Sequence, residues 1–119
     1  KKNNFQFTPH LTPMFRGILS TIYVDLKTGT KINKIKSTLN NYFKNDIFVK
    51  IAKNDTFLST NDVINTNNCI ISICKSKFKD KLIILSVIDN LIKGGSGQAV
   101  QNMNIIFNLK ENEGLNAKI

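Results

Sequence analysis

Cys69-Ile70-Ile71-Ser72-Ile73-Cys74-Lys75, the polar link Ser76 to Asp80, and Lys81-Leu82-Ile83-Ile84-Leu85-Ser86-Val87-Ile88 decide the fold. Both apolar runs are rich in β-branched residues, and the link between them has hairpin length. The first run alternates, which predicts a strand. The second is apolar almost throughout, the pattern of a central strand covered on both faces. Upstream, Gly17 to Leu26 alternates too, with Ile18, Ile22, Val24 and Leu26 on one parity, which marks a strand face. Thr28-Gly29 is its turn. Ile32, Ile35, Leu39, Tyr42 and Phe43 then recur at helical spacing, with Thr30 as the expected cap. Ile47, Val49 and Ile51 predict a short strand, and the polar stretch 53–68 a long loop. Phe5-Gln6-Phe7-Thr8 alternates as a further short strand would, and Pro9 and Pro13 bracket a rigid irregular stretch. After the central strand, Ala99, Val100, Met103, Ile106 and Phe107 form one helical stripe. The order strand, helix, three strands, helix predicts an α+β fold: helices packed on one face of a mostly antiparallel sheet.

Composition bounds the function. The chain has 119 residues and a formal net charge of +9, which invites a nucleic-acid partner. Yet Lys, Asn and Ile together make up 50 of the 119 residues, and Arg16 is the sole arginine. All three are residues of A/T-rich codons, whereas selection for phosphate binding would raise Lys and Arg without Ile. The lysines are scattered rather than striped, and the phenylalanines follow core spacing rather than forming a stacking platform. No apolar run is long enough for a membrane helix, and the start lacks the apolar core of a signal peptide. Cys69 and Cys74 are too few for a disulfide scaffold and sit on opposite strand parities. A reduced, cytoplasmic setting is expected. One His and two Cys do not make a zinc site, so no metal is expected.

Three features carry chemistry. Gly94-Gly95-Ser96-Gly97 precedes the last helix, and three glycines inside a helix would cost roughly 3 kcal/mol. They fit a strand-to-helix turn, where bare backbone N–H groups welcome an anion; the alternative is a tight turn packed against a neighbour. No Gly-Lys-Ser/Thr follows, so this is no Walker A loop, and Val100 stands where a dinucleotide fingerprint needs Gly or Ala. His10, between two prolines, is an acid/base or substrate-contact candidate, or a loop histidine bonded to backbone. Arg16, kept where Lys dominates, fits a site needing a planar fork, and fits a structural ion pair as well. Neither cysteine has the sequence setting of a nucleophile; both read as core.

Two segments are specific together. Phe7-Thr8-Pro9-His10-Leu11-Thr12-Pro13-Met14-Phe15-Arg16-Gly17-Ile18-Leu19-Ser20-Thr21 resembles the FTPHLxPMxRGILxT segment of the N-acetyl-gamma-glutamyl-phosphate reductase family. Asp89-Asn90-Leu91-Ile92-Lys93-Gly94-Gly95-Ser96-Gly97-Gln98-Ala99-Val100-Gln101-Asn102-Met103-Asn104 resembles its DNLxKGAxGQAVQNMN segment, with Gly95 where Ala is commoner. Order and separation also agree, and the likeness runs from Phe5 to Leu115.

The resemblance implies a glyceraldehyde-phosphate dehydrogenase-like C-terminal domain, within the superfamily that includes aspartate-semialdehyde dehydrogenases. It implies an oxidoreductase that uses NADPH to reduce an acyl phosphate to N-acetyl-glutamate semialdehyde in arginine biosynthesis. A cysteine thiolate takes the acyl group, hydride transfer releases the semialdehyde, and a histidine assists proton transfer. The nucleophilic cysteine and the nucleotide-binding Rossmann domain are expected upstream of residue 1, so no catalytic residue is expected here beyond His10 as a candidate. The chain is then an excised piece, inactive alone. Residues 1–119 are expected to form part of the catalytic and dimerisation domain, with 90–107 its cofactor-proximal segment and helix. His10 and Arg16 would meet substrate. Asn90, Lys93, Gly94 and Gly95 would meet NADP(H), held mainly by the missing domain. The implied partners are the acyl-phosphate substrate, that domain and further copies of the chain, with neither nucleic acid nor membrane. The other reading is a small basic nucleic-acid-binding domain, resting on the charge alone.

Overall fold

A computed structural model describes residues 6–53 and 55–117. Its centre is the expected hairpin, β3 (Cys69–Lys75) and β4 (Lys81–Ile88), paired antiparallel from Cys69↔Ile88 to Lys75↔Leu82. β4 also pairs antiparallel with β1 (Ile18–Asp25), from Ile18↔Ile88 to Asp25↔Lys81. The short β2 (Val49–Ile51) joins the other side of β3 in parallel, so the sheet order is β1-β4-β3-β2 and the sheet is mixed. β4, the most apolar run, does lie inside the sheet, because its backbone is bonded on both edges.

A parallel pair needs a crossover. Residues 52–68 supply it with a single turn of 3-10 helix, Thr60–Asp62. That turn is closed reciprocally: Asn61 N donates to the Ser59 hydroxyl at 3.3 Å, and Ser59 N to the Asp62 carboxylate at 2.7 Å. The crossover lies over one sheet face, where Ser72 Oγ donates to the Thr56 carbonyl at 2.6 Å. By register Ser72, Cys74, Leu85 and Val87 share that face, and all are buried with Val63. Ile73 and Leu82 are buried on the opposite face. The core is small.

Helix α1 (Ile32–Tyr42) follows the Gly29 turn, but Thr30 does not cap it. Lys31 holds the cap position without a side-chain bond, because the helix begins one residue later than expected. Gln6, Phe7 and Thr8 form no strand, and Phe5 lies outside the described residues. The core-like spacing of the phenylalanines misleads: Phe48 is 1% exposed, whereas Phe7, Phe15, Phe57, Phe78 and Phe107 are all exposed. β1 behaves alike, with Ile18, Leu19, Ile22 and Tyr23 exposed, so both of its faces are open.

Helix α2 (Gly97–Ile106) departs most from expectation. Its buried residues are Gly97, Gln101 and Asn104, not the apolar stripe. Met103, Ile106 and Phe107 face outward. The polar side can be buried because its amides are matched. Asn104 Nδ2 donates to the carbonyls of Glu111 and Glu113, at 3.1 and 3.0 Å, where the tail folds back. The cysteines are free, Cys74 buried and Cys69 half-buried.

Candidate functional site at the junction of two segments

The two resembling segments meet at the end of β4. Asp89 follows its last residue and is fully buried. Its Oδ1 accepts from Leu91 N at 2.9 Å and Ile92 N at 3.2 Å, an Asx turn that bends the chain out of the strand. Its Oδ2 accepts from Asn65 N at 2.9 Å and lies 3.5 Å from Arg16 Nη1. Burial pushes the Asp89 carboxyl up. The N–H donors of Asn65, Leu91 and Ile92 outweigh that with the help of the Arg16 charge, and hold it below the usual carboxylate range.

Arg16 also donates from Nη1 to Asn65 Oδ1. Asn65 can serve Asp89 and Arg16 at once because it sits in the left-handed region, at φ 61°. Arg16 Nε is buried and has no partner among the described residues. The Arg16 side chain remains 25% exposed. A second tie runs beside the first: Gly17 N donates to Asn90 Oδ1 at 2.7 Å. Gly17 has φ 104°, and a Cβ there would sit 2.4 Å from Thr60 Cβ. Residues 16 and 17 are thus clamped to residues 89 and 90 by a charged pair and a hydrogen bond.

Beyond the Asx turn the chain makes a π-type turn, Ile92–Ser96, and enters α2. Gly94 N donates to the Asp89 carbonyl at 2.9 Å, Ser96 N to the Leu91 carbonyl at 3.0 Å, and Gly97 N to the Ile92 carbonyl. These N–H groups are spent on the chain itself, which corrects the expectation of free donors waiting for an anion. Gly94 and Gly95 are exposed, so what they offer is close approach to bare backbone. Gly97 is a packing glycine. A Cβ there would lie 2.4 Å from Asn67 Oδ1 and 2.5 Å from Ile92 Cγ2.

Lys93 turns inward. Its Nζ donates to Gln101 Oε1 at 2.7 Å and lies 5.5 Å from the centre of the Phe48 ring. Burial lowers its pKa from the ordinary lysine value, against the opposing pull of Cys69, Glu111 and Asp46. Gln101 Oε1 also accepts from Asn67 Nδ2 at 2.9 Å, and Gln101 Nε2 donates to Glu111 at 2.7 Å. Lys93 therefore supports the turn from beneath. His10 is exposed on the irregular segment before β1.

The geometry thus joins Arg16 and Gly17 to Asp89 and Asn90, just before the glycines, and ties His10 to none of them by a hydrogen bond or ion pair. Asp89, Asn65 and Gln101 were not singled out by sequence. The only local signal for Asp89 is the Asx-turn pattern after a strand; nothing local marks Asn65 or Gln101. A cleft of about 250 Å³ lies alongside, lined by Asn65, Ile92, Ser96, Gly97 and Val100 among others. Among the described residues no helix is long and apolar enough to cross a membrane.

Comparison with known proteins bears on this junction. Residues 1–90 match the family model for the semialdehyde dehydrogenase dimerisation domain. The chain is 46% identical over 115 residues to the N-acetyl-gamma-glutamyl-phosphate reductase of Thermoanaerobacter pseudethanolicus, covering 97% of this chain and 33% of that protein. It is 50% identical over 115 residues to the reductase of the same name from Vesicomyosocius okutanii, covering 97% and 32%. For that of Staphylococcus aureus the figures are 46% over 110 residues, covering 92% and 32%. The chain spans about a third of the length of the curated relatives it matches. These matches favour the reductase resemblance over a basic nucleic-acid-binding domain, which they do not support.

Proposed function

The chain belongs to the semialdehyde dehydrogenase dimerisation-domain family, and from that premise we propose that it supplies the C-terminal third of an NADPH-dependent N-acetyl-gamma-glutamyl-phosphate reductase. In that enzyme residues 1–119 are part of the catalytic and dimerisation domain, and 90–107 are its cofactor-proximal segment and helix. The Rossmann domain and the nucleophilic cysteine belong to the part of the relatives that this chain does not span. The whole enzyme is a cytoplasmic homo-oligomer of arginine biosynthesis that associates through this domain.

The observation that carries the reading is the clamp between Arg16-Gly17 and Asp89-Asn90, which brings two distant segments of the resemblance to one place. Arg16 meets an oxyanion of the acyl-phosphate substrate there, and His10 approaches substrate from the irregular segment. The residues present fit a nicotinamide cofactor by shape more than by donors, since Gly94 and Gly95 expose bare backbone while the neighbouring N–H groups are spent. When bound, the cofactor supplies the hydride. Asn90 would hold the carboxamide through its amide nitrogen, while its oxygen accepts from Gly17. Lys93 acts on the cofactor by bracing the turn through Gln101.

The test is direct. The purified 119-residue chain is expected to show no NADPH-dependent reduction of N-acetyl-glutamyl phosphate. Adding the part of a relative that it does not span, as a separate polypeptide, is expected to restore turnover. Measurable turnover by the chain alone would overturn the placement of the nucleophile.

A further inference from the structure

Arg16 has one occupied end. Its Nη1 is taken by Asp89 Oδ2, at 3.5 Å, and by Asn65 Oδ1. Its Nε is buried and finds no acceptor among the described residues, although the side chain as a whole reaches solvent. A guanidinium carries parallel N–H bonds on Nε and Nη2, a fork that matches two oxygens of a carboxylate or phosphoryl group. A buried donor without a partner is costly, and an oxyanion on that edge removes the cost. We propose that Asp89 is a positioning residue: it grips Arg16 by Nη1 and so presents the Nε–Nη2 edge to an oxyanion of the substrate.

The grip is firm because Asp89 is itself fixed. Three backbone N–H groups hold its carboxylate, from Asn65, Leu91 and Ile92. Gly17, next in sequence to Arg16, is tied to Asn90, next to Asp89. The backbone that carries the arginine is therefore fixed beside Asp89. This inference rests on the reading of Arg16 as a substrate contact. It adds the residue that aims Arg16 and the edge that is used.

The test compares Arg16→Lys, Asp89→Asn and the double variant in the whole reductase, with these 119 residues joined to the nucleotide-binding portion. Lysine keeps the charge beside Asp89 but has no fork. Arg16→Lys and Asp89→Asn are each expected to raise KM for the acyl phosphate about tenfold. The double variant is expected to be no worse than either single one, because one contact is lost once. Effects that multiply overturn the positioning role, as does a wild-type KM in Asp89→Asn. A wild-type KM in Arg16→Lys instead overturns the underlying reading of Arg16.

Inhibition by the phosphate product and by the parent acid of the substrate identifies the oxygens. Inhibition by inorganic phosphate weakens in Arg16→Lys if the fork holds the phosphoryl group, and inhibition by N-acetyl-glutamate weakens if it holds a carboxylate. Unchanged inhibition by both overturns the proposal. Should Asp89→Asn fail to fold, Arg16→Ala is assayed with added guanidinium or ammonium. Restoration by guanidinium alone supports a carboxylate that holds the free cation; an equal response to both salts overturns it.

Discussion

Replacing Gly97 by alanine sets two forces of opposite sign against each other. Gly97 opens α2 with φ −66° and ψ −36°, ordinary helical angles. Helix propensity alone favours Gly97→Ala by up to about 1 kcal/mol. The new methyl carbon would lie 2.4 Å from Asn67 Oδ1, 2.5 Å from Ile92 Cγ2 and 2.8 Å from the Ile92 carbonyl oxygen. The carbonyl is backbone and accepts from Gly97 N itself, so it cannot retreat without opening the π-type turn. Asn67 is fully buried, and its Nδ2 donates to Gln101, so it cannot retreat into water. Overpacking of this kind costs roughly 1–3 kcal/mol. Disturbing the Asn67–Gln101 bond adds about 1 kcal/mol. The net expectation is a loss of about 2 kcal/mol, with the midpoint of thermal unfolding falling by roughly 6–10 °C in a chain this size. Urea unfolding followed by circular dichroism measures it, with a lower midpoint and an unchanged slope. A variant as stable as wild type, or more stable, would refute the packing account of Gly97 and leave propensity in command.

The other expectations use the same clamp and network. Gly17→Ala combines a left-handed φ with a 2.4 Å approach to Thr60 Cβ, whereas Gly29→Ala has φ 82° with nothing within 4 Å; the first should cost about 3–4 kcal/mol and the second about 1, and equal losses in urea unfolding would sink the packing term. Asp89 has its folded pKa below its unfolded value, so its contribution to stability is full above the unfolded pKa and is lost as pH falls through the folded one. In acid titrations of stability, Asp89→Asn should flatten the limb below about pH 4, and an unaltered limb would contradict the assignment. Gln101→Leu removes the acceptor of Asn67 and Lys93 and the donor to Glu111, and should cost about 2–4 kcal/mol by urea unfolding even though a helix gains an apolar residue.

How far the sequence could be read differs from element to element. β3 and β4 were legible because an alternating run, a short polar link and an unbroken apolar run leave little choice of pairing. The pairing of β2 was not. Its parallel partner lies across a loop whose backbone is held by Ser59, Asp62 and Ser72, contacts that leave no period in the sequence. Helix α2 shows the limit most plainly. Its stripe of Val100, Met103, Ile106 and Phe107 has correct helical spacing, yet Ile106 is 72% exposed while Gln101 and Asn104 are buried. Periodicity reports that a face is apolar. It says nothing about what covers it, and the described residues do not cover that face.

The site divides in the same way. Resemblance located both segments, and composition made Arg16 conspicuous among sixteen lysines. Neither said that the arginine would spend Nη1 on Asp89, 73 positions away, and leave Nε unpaired. The same A/T-rich background that raises Lys also raises Asn to 17 residues. Asn65 and Asn67 were therefore camouflaged, although each bonds a residue of the clamp or of the network beneath it, whereas Asn90 was marked by the resemblance alone. A compositional bias that dilutes the meaning of a net charge dilutes the meaning of its polar residues equally. Only their geometry separates Asn65, which bonds Arg16, from an asparagine that holds nothing. What the geometry adds is directional: it turns Arg16 from a rare residue into a donor with Nη1 engaged and Nε unpaired among the described residues.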